Sequence, residues 1–164
     1  MTNITAIVQA RIGSTRLPAK VLKKINGKEI ILHLLDRLSL SKKITKIIIA
    51  IPNSKENDKL YNLLKKHNFL VFRGSENNLV DRFYQAANLS SADEVVRICA
   101  DNPLICASEI DKLIEFFKKD NCDYAFNHIP LNNNYPNGLG AEICSMNLLK
   151  IINEKAKITI DELR

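Results

Sequence analysis

At 164 residues and 46% hydrophobic content, the chain holds enough apolar material for one globular core, which excludes disorder as a description of the whole. Its formal charge of +6 comes from 24 basic against 18 acidic residues scattered along the chain, and only 6% of residues are aromatic, with no Trp. A nucleic-acid platform interleaves aromatics with its cations, so this charge pattern points to solvated helix faces and a small anionic ligand instead.

Met-Thr-Asn-Ile-Thr runs straight into the apolar stretch Ala6 to Val8 without a charged-then-apolar leader, and no apolar run approaches membrane-spanning length. The expected compartment is the cytoplasm, with no membrane partner. This first strand empties into a basic loop that gathers Arg11, Ser14, Thr15, Arg16 and Lys20 within ten residues. Gly13 frees its backbone and Pro18 stiffens its exit. Open α/β sheets bind ligands just past the carboxyl ends of their strands, and three cations with two hydroxyls suit a triphosphate. The alternative is a solvated basic surface loop.

Glu29 to Leu40 places Ile30, Ile31, Leu34, Leu35 and Leu38 on one helical face. Ile44 to Ile51 is a branched apolar run fit for a strand covered on both faces. Pro52-Asn53-Ser54 ends it, and Ser54 is expected to cap a helix carrying Leu60, Leu63 and Leu64. Phe69 to Phe72 reads as a third strand, Asn78 to Leu89 as a helix, Val95 to Cys99 as a strand, and Ile110 to Phe117 as a helix. Asp123 to Asn127 and Ala141 to Cys144 read as strands, Asn147 to Lys155 as a helix, and Ile129 to Gly140 as a long irregular piece of the kind that carries function or moves. Alternating strands and helices over short connections make βαβ units, hence a Rossmann-like α/β fold of three αβα layers around a mostly parallel sheet. One domain spans residues 1–164. Thr159-Ile160-Asp161-Glu162 is a capping-box pattern announcing a further helix, so the domain is expected to be incomplete at its C-terminus. Cys99, Cys106, Cys122 and Cys144 show no C-x-x-C spacing and read as thiols of a reducing compartment.

Gln-Ala-Arg-Ile-Gly-Ser-Thr-Arg-Leu-Pro-Ala-Lys, residues 9–20, resembles the nucleotide-binding signature of the cytidylyltransferases that make CMP-activated sugars. Those include the 3-deoxy-manno-octulosonate and acylneuraminate enzymes. The likeness is nearest to the branch named for spore coat polysaccharide biosynthesis protein F, and it continues in order. It takes in Phe72-Arg73-Gly74-Ser75-Glu76, Asp81-Arg82-Phe83-Tyr84-Gln85-Ala86-Ala87, Val96-Arg97-Ile98, Ala100-Asp101-Asn102-Pro103-Leu104-Ile105 and Tyr135-Pro136-Asn137-Gly138-Leu139.

The resemblance implies a GT-A-like nucleotide-diphospho-sugar transferase fold and a Mg²⁺-dependent nucleotidyl transfer. A sugar or sugar-acid oxygen attacks the α-phosphorus of a nucleoside triphosphate, CTP by this likeness, and pyrophosphate leaves. Such a displacement asks for alignment, charge neutralisation and a metal. By the same likeness Arg11 and Lys20 hold phosphates, while Ala10, Gly13, Ser14 and Arg16 complete the nucleotide loop. Arg73, Gly74, Ser75 and Arg82 contact the base, Gly138 and Glu142 lie on the sugar side, and Asp101 binds Mg²⁺. Local readings stay open beside these: an ion pair for Arg16, a helix-start pair for Asp81 and Arg82, and an Asx-turn cap for Asp101. A homodimer is an assembly the sequence leaves open. The chain departs from the family pattern at Ala19 and Ala100, where glycine is usual, and at Gly140, where an aspartate is. Two further readings compete: a nucleotide-binding domain without catalysis, and a GT-A glycosyltransferase, which would want a D-x-D pair where this chain has Ala100-Asp101-Asn102.

Overall fold

A computed structural model describes residues 2–13, 17–128 and 139–162, with side chains through Ala156. The first apolar run forms β1 (Ile4–Gln9), buried through Val8. A two-stranded hairpin follows, β2 (Lys24–Ile25) and β3 (Lys28–Glu29), which the sequence reading missed. Its turn is Asn26-Gly27, both residues at positive φ (49° and 79°), the dipeptide favoured where a tight hairpin needs left-handed backbone. Then come α1 (Ile30–Leu38), β4 (Lys46–Pro52), α2 (Asp58–Lys66), β5 (Leu70–Gly74), α3 (Leu79–Ser90), β6 (Glu94–Cys99) and α4 (Ala107–Lys119). β7 (Tyr124–Phe126), β8 (Glu142–Ser145) and α5 (Met146–Glu162) complete the order.

Six strands form one sheet in the order β5-β4-β1-β6-β8-β7. The first four run parallel; β8 runs antiparallel to β6, and β7 antiparallel to β8. Alternation along the strands divides the core in two. Ala6, Val8, Ile49, Ile51, Val96 and Ile98 pack toward Leu34 and Leu35 of α1, Leu60 and Leu64 of α2, and Ile110 and Ile114 of α4. Ile7, Ile48, Ala50 and Val95 pack toward Phe83, Ala86 and Ala87 of α3 and Leu149 of α5. These are the expected three layers, and the two-sided burial explains why β1 and β4 read as continuous apolar runs.

Two expectations about helix ends are corrected. Ser54 does not cap α2: residues Lys55–Asn57 form a 3₁₀ turn first, and the Ser54 hydroxyl accepts from Asn57 Nδ2 at 2.9 Å. No new helix starts at Thr159, because α5 runs unbroken to Glu162. No Gly or Pro interrupts residues 146–162, so nothing stops the helix before the apparent capping box. Among the described residues no helix is long and apolar enough to cross a membrane.

Parallel pairing has a functional consequence. The carboxyl ends of β1, β4, β5 and β6 share one edge of the sheet, and antiparallel β8 brings Glu142 back to that side, opposite Arg97.

Candidate active site

The chain leaves β1 with Ala10 N–H still bonded to Ala50 O at 3.2 Å, and the next turn is held from outside, since Ile12 N–H donates to Asn57 Oδ1 at 2.9 Å. Asn57 is buried to 1% exposure, so its amide is a fixed strut between the β4–α2 connection and the basic loop. At Gly13 the Glu56 carboxylate lies so close that a Cβ would meet Oε2 at 3.3 Å. Gly13 is not at positive φ, so it serves here by leaving room. The loop closes with Ala19 N–H donating to Ile12 O at 3.2 Å, and Ala19 stands in the left-handed region at φ 52°, ψ 31°. That turn starts a short 3₁₀ segment, Lys20–Leu22, whose first side chain reaches Asp101.

On the other side β6 ends in a tight turn. Ala100 N–H donates to Gln9 O at 3.0 Å and Asn102 N–H to Cys99 O at 3.1 Å, which lifts Asp101 over the end of β1. Lys20 Nζ meets Asp101 Oδ2 at 2.7 Å, with 28% and 48% of the two side chains exposed. Residues 81 positions apart therefore meet at the β1–β6 edge. Ser14, Arg16 and Gly138 lie outside the described residues.

The base-side candidates separate. Arg82, in the first turn of α3, is 3% exposed; its Nη1 donates to Ser75 O, and its buried Nε has no partner among the described residues. Burial above all, and then the nearby Arg11 charge, pull its pKa below the usual guanidinium value, with Glu76 opposing them. A desolvated cation beside a second one favours an anion. Arg82 takes no Asp81 partner there, for Asp81 Oδ1 accepts from Gln85 Nε2 at 3.2 Å. Gly74 is required by packing: a Cβ would strike the Phe72 ring and the Arg82 stem. Ser75 Oγ accepts from Asn78 N–H at 3.0 Å, and Asn78 Oδ1 caps α3 through Asp81 N–H at 2.9 Å. Arg73 is tied elsewhere. Its Nη1 pairs with Asp58 at 2.7 Å, its Nη2 donates to Ser54 O at 2.9 Å, and it lies over the Tyr61 ring. The structure makes it a brace for the segment that carries Asn57.

Glu142 is held from several sides. Arg97 Nη1 pairs with its Oε1, Tyr124 OH donates to its Oε2 at 3.0 Å, and His128 Nε2 stands 3.9 Å from Oε1. Burial, then the Glu142 charge, push the Tyr124 hydroxyl up to about 12, so it remains a donor. Burial chiefly raises the Cys99 thiol, with Asp101 and Glu142 adding to the rise and Arg97 and Lys20 opposing it, and Arg97 Nη2 lies 3.9 Å from its Sγ. The departures at Ala19, Ala100 and Gly140 now have different meanings. Ala19 takes the strained conformation that glycine would relieve, Ala100 is buried and not at positive φ, and His128 fills the space a side chain at Gly140 would need. Asn57, Glu56 and Tyr124 had no local signal, whereas Arg97 did, as a charge within an otherwise buried strand.

The family model for cytidylyltransferases matches residues 5–159. The spore coat polysaccharide biosynthesis protein SpsF of Bacillus subtilis is 32% identical over 91% of this chain and 62% of its own length. An 8-amino-3,8-dideoxy-manno-octulosonate cytidylyltransferase of Shewanella baltica is 33% identical over 71% of this chain and 48% of its own. Among solved structures, a cytidylyltransferase from Leptospira borgpetersenii superposes with a TM-score of 0.85 at 29% identity, covering 94% of this chain and 65% of that one. The chain thus spans roughly half to three fifths of the curated relatives it matches. With a family match over nearly its whole length and the fold to go with it, the chain belongs to the cytidylyltransferase family.

Proposed function

We propose that this chain handles the nucleotide in a Mg²⁺-dependent cytidylyltransferase that activates a sugar or sugar acid with CTP, releasing pyrophosphate, for surface polysaccharide or glycan synthesis. The observation that carries the reading is the 2.7 Å pair of Lys20 and Asp101, which joins the basic loop to the carboxylate over the ends of β1 and β6. A pair this exposed contributes little stability, so each partner is easily exchanged: Lys20 for a phosphate oxygen, Asp101 for a cation. Lys20 and Arg11 neutralise the charge that builds on the phosphates, and loop backbone amides held by Asn57 fix their position. Arg82 and the Ser75 hydroxyl serve the pyrimidine edge, with Arg73 holding the neighbouring segment. Glu142, kept in place by Arg97 and Tyr124, accepts from an acceptor hydroxyl.

Asp101 fits Mg²⁺ as a half-exposed hard oxygen donor, and among the described residues no three His, Cys, Asp or Glu side chains converge on one point. Mg²⁺ commonly takes one or two carboxylates and fills its shell from phosphates and water. When bound there, the ion screens the triphosphate charge. The four free thiols fit a reducing compartment such as the cytoplasm.

A thermal-shift panel of the four ribonucleoside triphosphates, with and without Mg²⁺, tests the reading. A ligand at a hundred times its Kd stabilises the native form by about 2.7 kcal/mol. CTP with Mg²⁺ is expected to give the largest shift, Lys20→Ala to lose most of it, and Asp101→Asn to lose only the Mg²⁺-dependent part. Equal shifts from all four nucleotides, or none, would overturn it. Because the chain covers only part of its relatives, saturable CTP binding without pyrophosphate release would select a binding domain that needs more chain for turnover.

A further inference from the structure

Both oxygens of the Glu56 carboxylate face the basic loop at Gly13: a Cβ on that glycine would lie 3.3 Å from Oε2 and 3.5 Å from Oε1. Glu56 belongs to the 3₁₀ turn Lys55–Asn57, and the next residue, Asn57, accepts Ile12 N–H at 2.9 Å, so carboxylate and loop ride on one connection. The cations nearby are engaged elsewhere. Lys20 meets Asp101 at 2.7 Å and Arg73 meets Asp58 at 2.7 Å, while the Arg11 charge acts on Arg82. Among the described residues no ion pair joins Glu56 to a cation. An unpaired negative charge therefore stands against the loop that the proposed function fills with a polyanion, where a site built only for tight phosphate binding would exclude it.

We propose that Glu56 selects the form in which the polyphosphate binds, favouring the Mg²⁺ complex over the free anion, a proposal that rests on the cytidylyltransferase reading. Arg11 and Lys20 attract both forms, and attraction alone would favour the free one because it is the more negative. The carboxylate at Gly13 opposes that order. It repels bare phosphate oxygens and admits those whose charge a divalent cation has drawn off. By the same repulsion, pyrophosphate that has shed its ion leaves the loop more readily. The competing role is structural: a carboxylate just ahead of α2 favours the positive end of that helix, but Asp58 already stands in its first turn.

Calorimetry on the whole chain tests this, with inorganic pyrophosphate and with CTP, each in EDTA and in excess Mg²⁺. Glu56→Gln keeps the side chain's shape and removes its charge. It is expected to tighten metal-free pyrophosphate and metal-free CTP about three- to tenfold and to change the Mg²⁺ complexes little, so that the preference for Mg²⁺ shrinks. Glu56→Asp, which draws the carboxylate back from Gly13, should fall between the two. Raising the salt to about 1 M shortens screening to about 3 Å and should erase most of the difference. A lower urea midpoint for Glu56→Gln with unchanged affinities would make Glu56 a helix-end charge and overturn the proposal, as would weaker binding of metal-free pyrophosphate by that variant. If both chains bind CTP and the Mg²⁺ preference is the same in each, only the role of Glu56 fails; if neither binds CTP or pyrophosphate, the nucleotide reading fails first and this one with it.

Discussion

Ala19 holds φ 52°, ψ 31° where the basic loop turns, and that turn sends Lys20 toward Asp101. A left-handed conformation costs an L-residue about 1–2 kcal/mol. Glycine removes that penalty and adds about 0.4–1 kcal/mol of chain entropy to be lost on folding. Ala19→Gly is therefore expected to stabilise the chain by about 0.5–1 kcal/mol, read as a higher urea midpoint at unchanged slope. Ala100→Gly should go the other way by about 1 kcal/mol, because Ala100 is 3% exposed, lies outside the positive-φ set and gains nothing from the added freedom. Equal signs for the two would show that strain is not concentrated at Ala19. The sequence marks both alanines alike, as replacements of a usual glycine. Only the backbone separates them, since neighbouring residue types do not dictate φ at a single loop position.

The β4–α2 connection is the element that shapes the loop. Asn57 takes Ile12 N–H and gives its amide to Ser54, while Arg73 of β5 ties Asp58 and the Ser54 carbonyl together. Losing the acceptor for a partly buried N–H costs about 1–3 kcal/mol. Asn57→Ala should therefore lower stability by that amount and also weaken CTP binding, whereas Asn57→Asp, which keeps the Oδ1 acceptor, should retain more of both. An Asn57→Ala protein that unfolds at the same urea concentration and binds CTP unchanged would show that the loop holds itself. This bracing was hidden in the sequence because Asn57 lies 45 residues from Ile12 and is flanked by ordinary polar residues. The elements themselves were legible wherever burial is two-sided or helical. Ile44 to Ile51 and the α1 stripe announced themselves by apolar spacing, while the Asn26-Gly27 hairpin, with only two residues in each strand, offered no alternation to notice.

Across the whole molecule the sheet is graded from its centre outward. β1 is paired on both sides, by β4 and β6, and covered on both faces; β7 is three residues long, lies at the sheet's edge and exposes Tyr124 and Phe126. The parallel part was legible because each strand is followed by a helix that returns the chain. The reversed direction of β8 was not, since local periodicity says which residues face the core and nothing about which way a strand runs beside its partner. Local opening free energy follows burial and pairing, so amide hydrogen exchange is expected to be slowest at Ala6, Ile7 and Val8 and at Ile48 and Ile49, and orders of magnitude faster in β7 and the β2–β3 hairpin. On the proposed reading CTP with Mg²⁺ binds at the edge where β1 and β6 end, so it is expected to slow Ala10, Ile12 and Asn102 far more than it slows β7. Protection that rises uniformly over the sheet would mean that the nucleotide acts through global stability alone. Protection centred on β7 would place nucleotide binding away from the Lys20–Asp101 pair altogether.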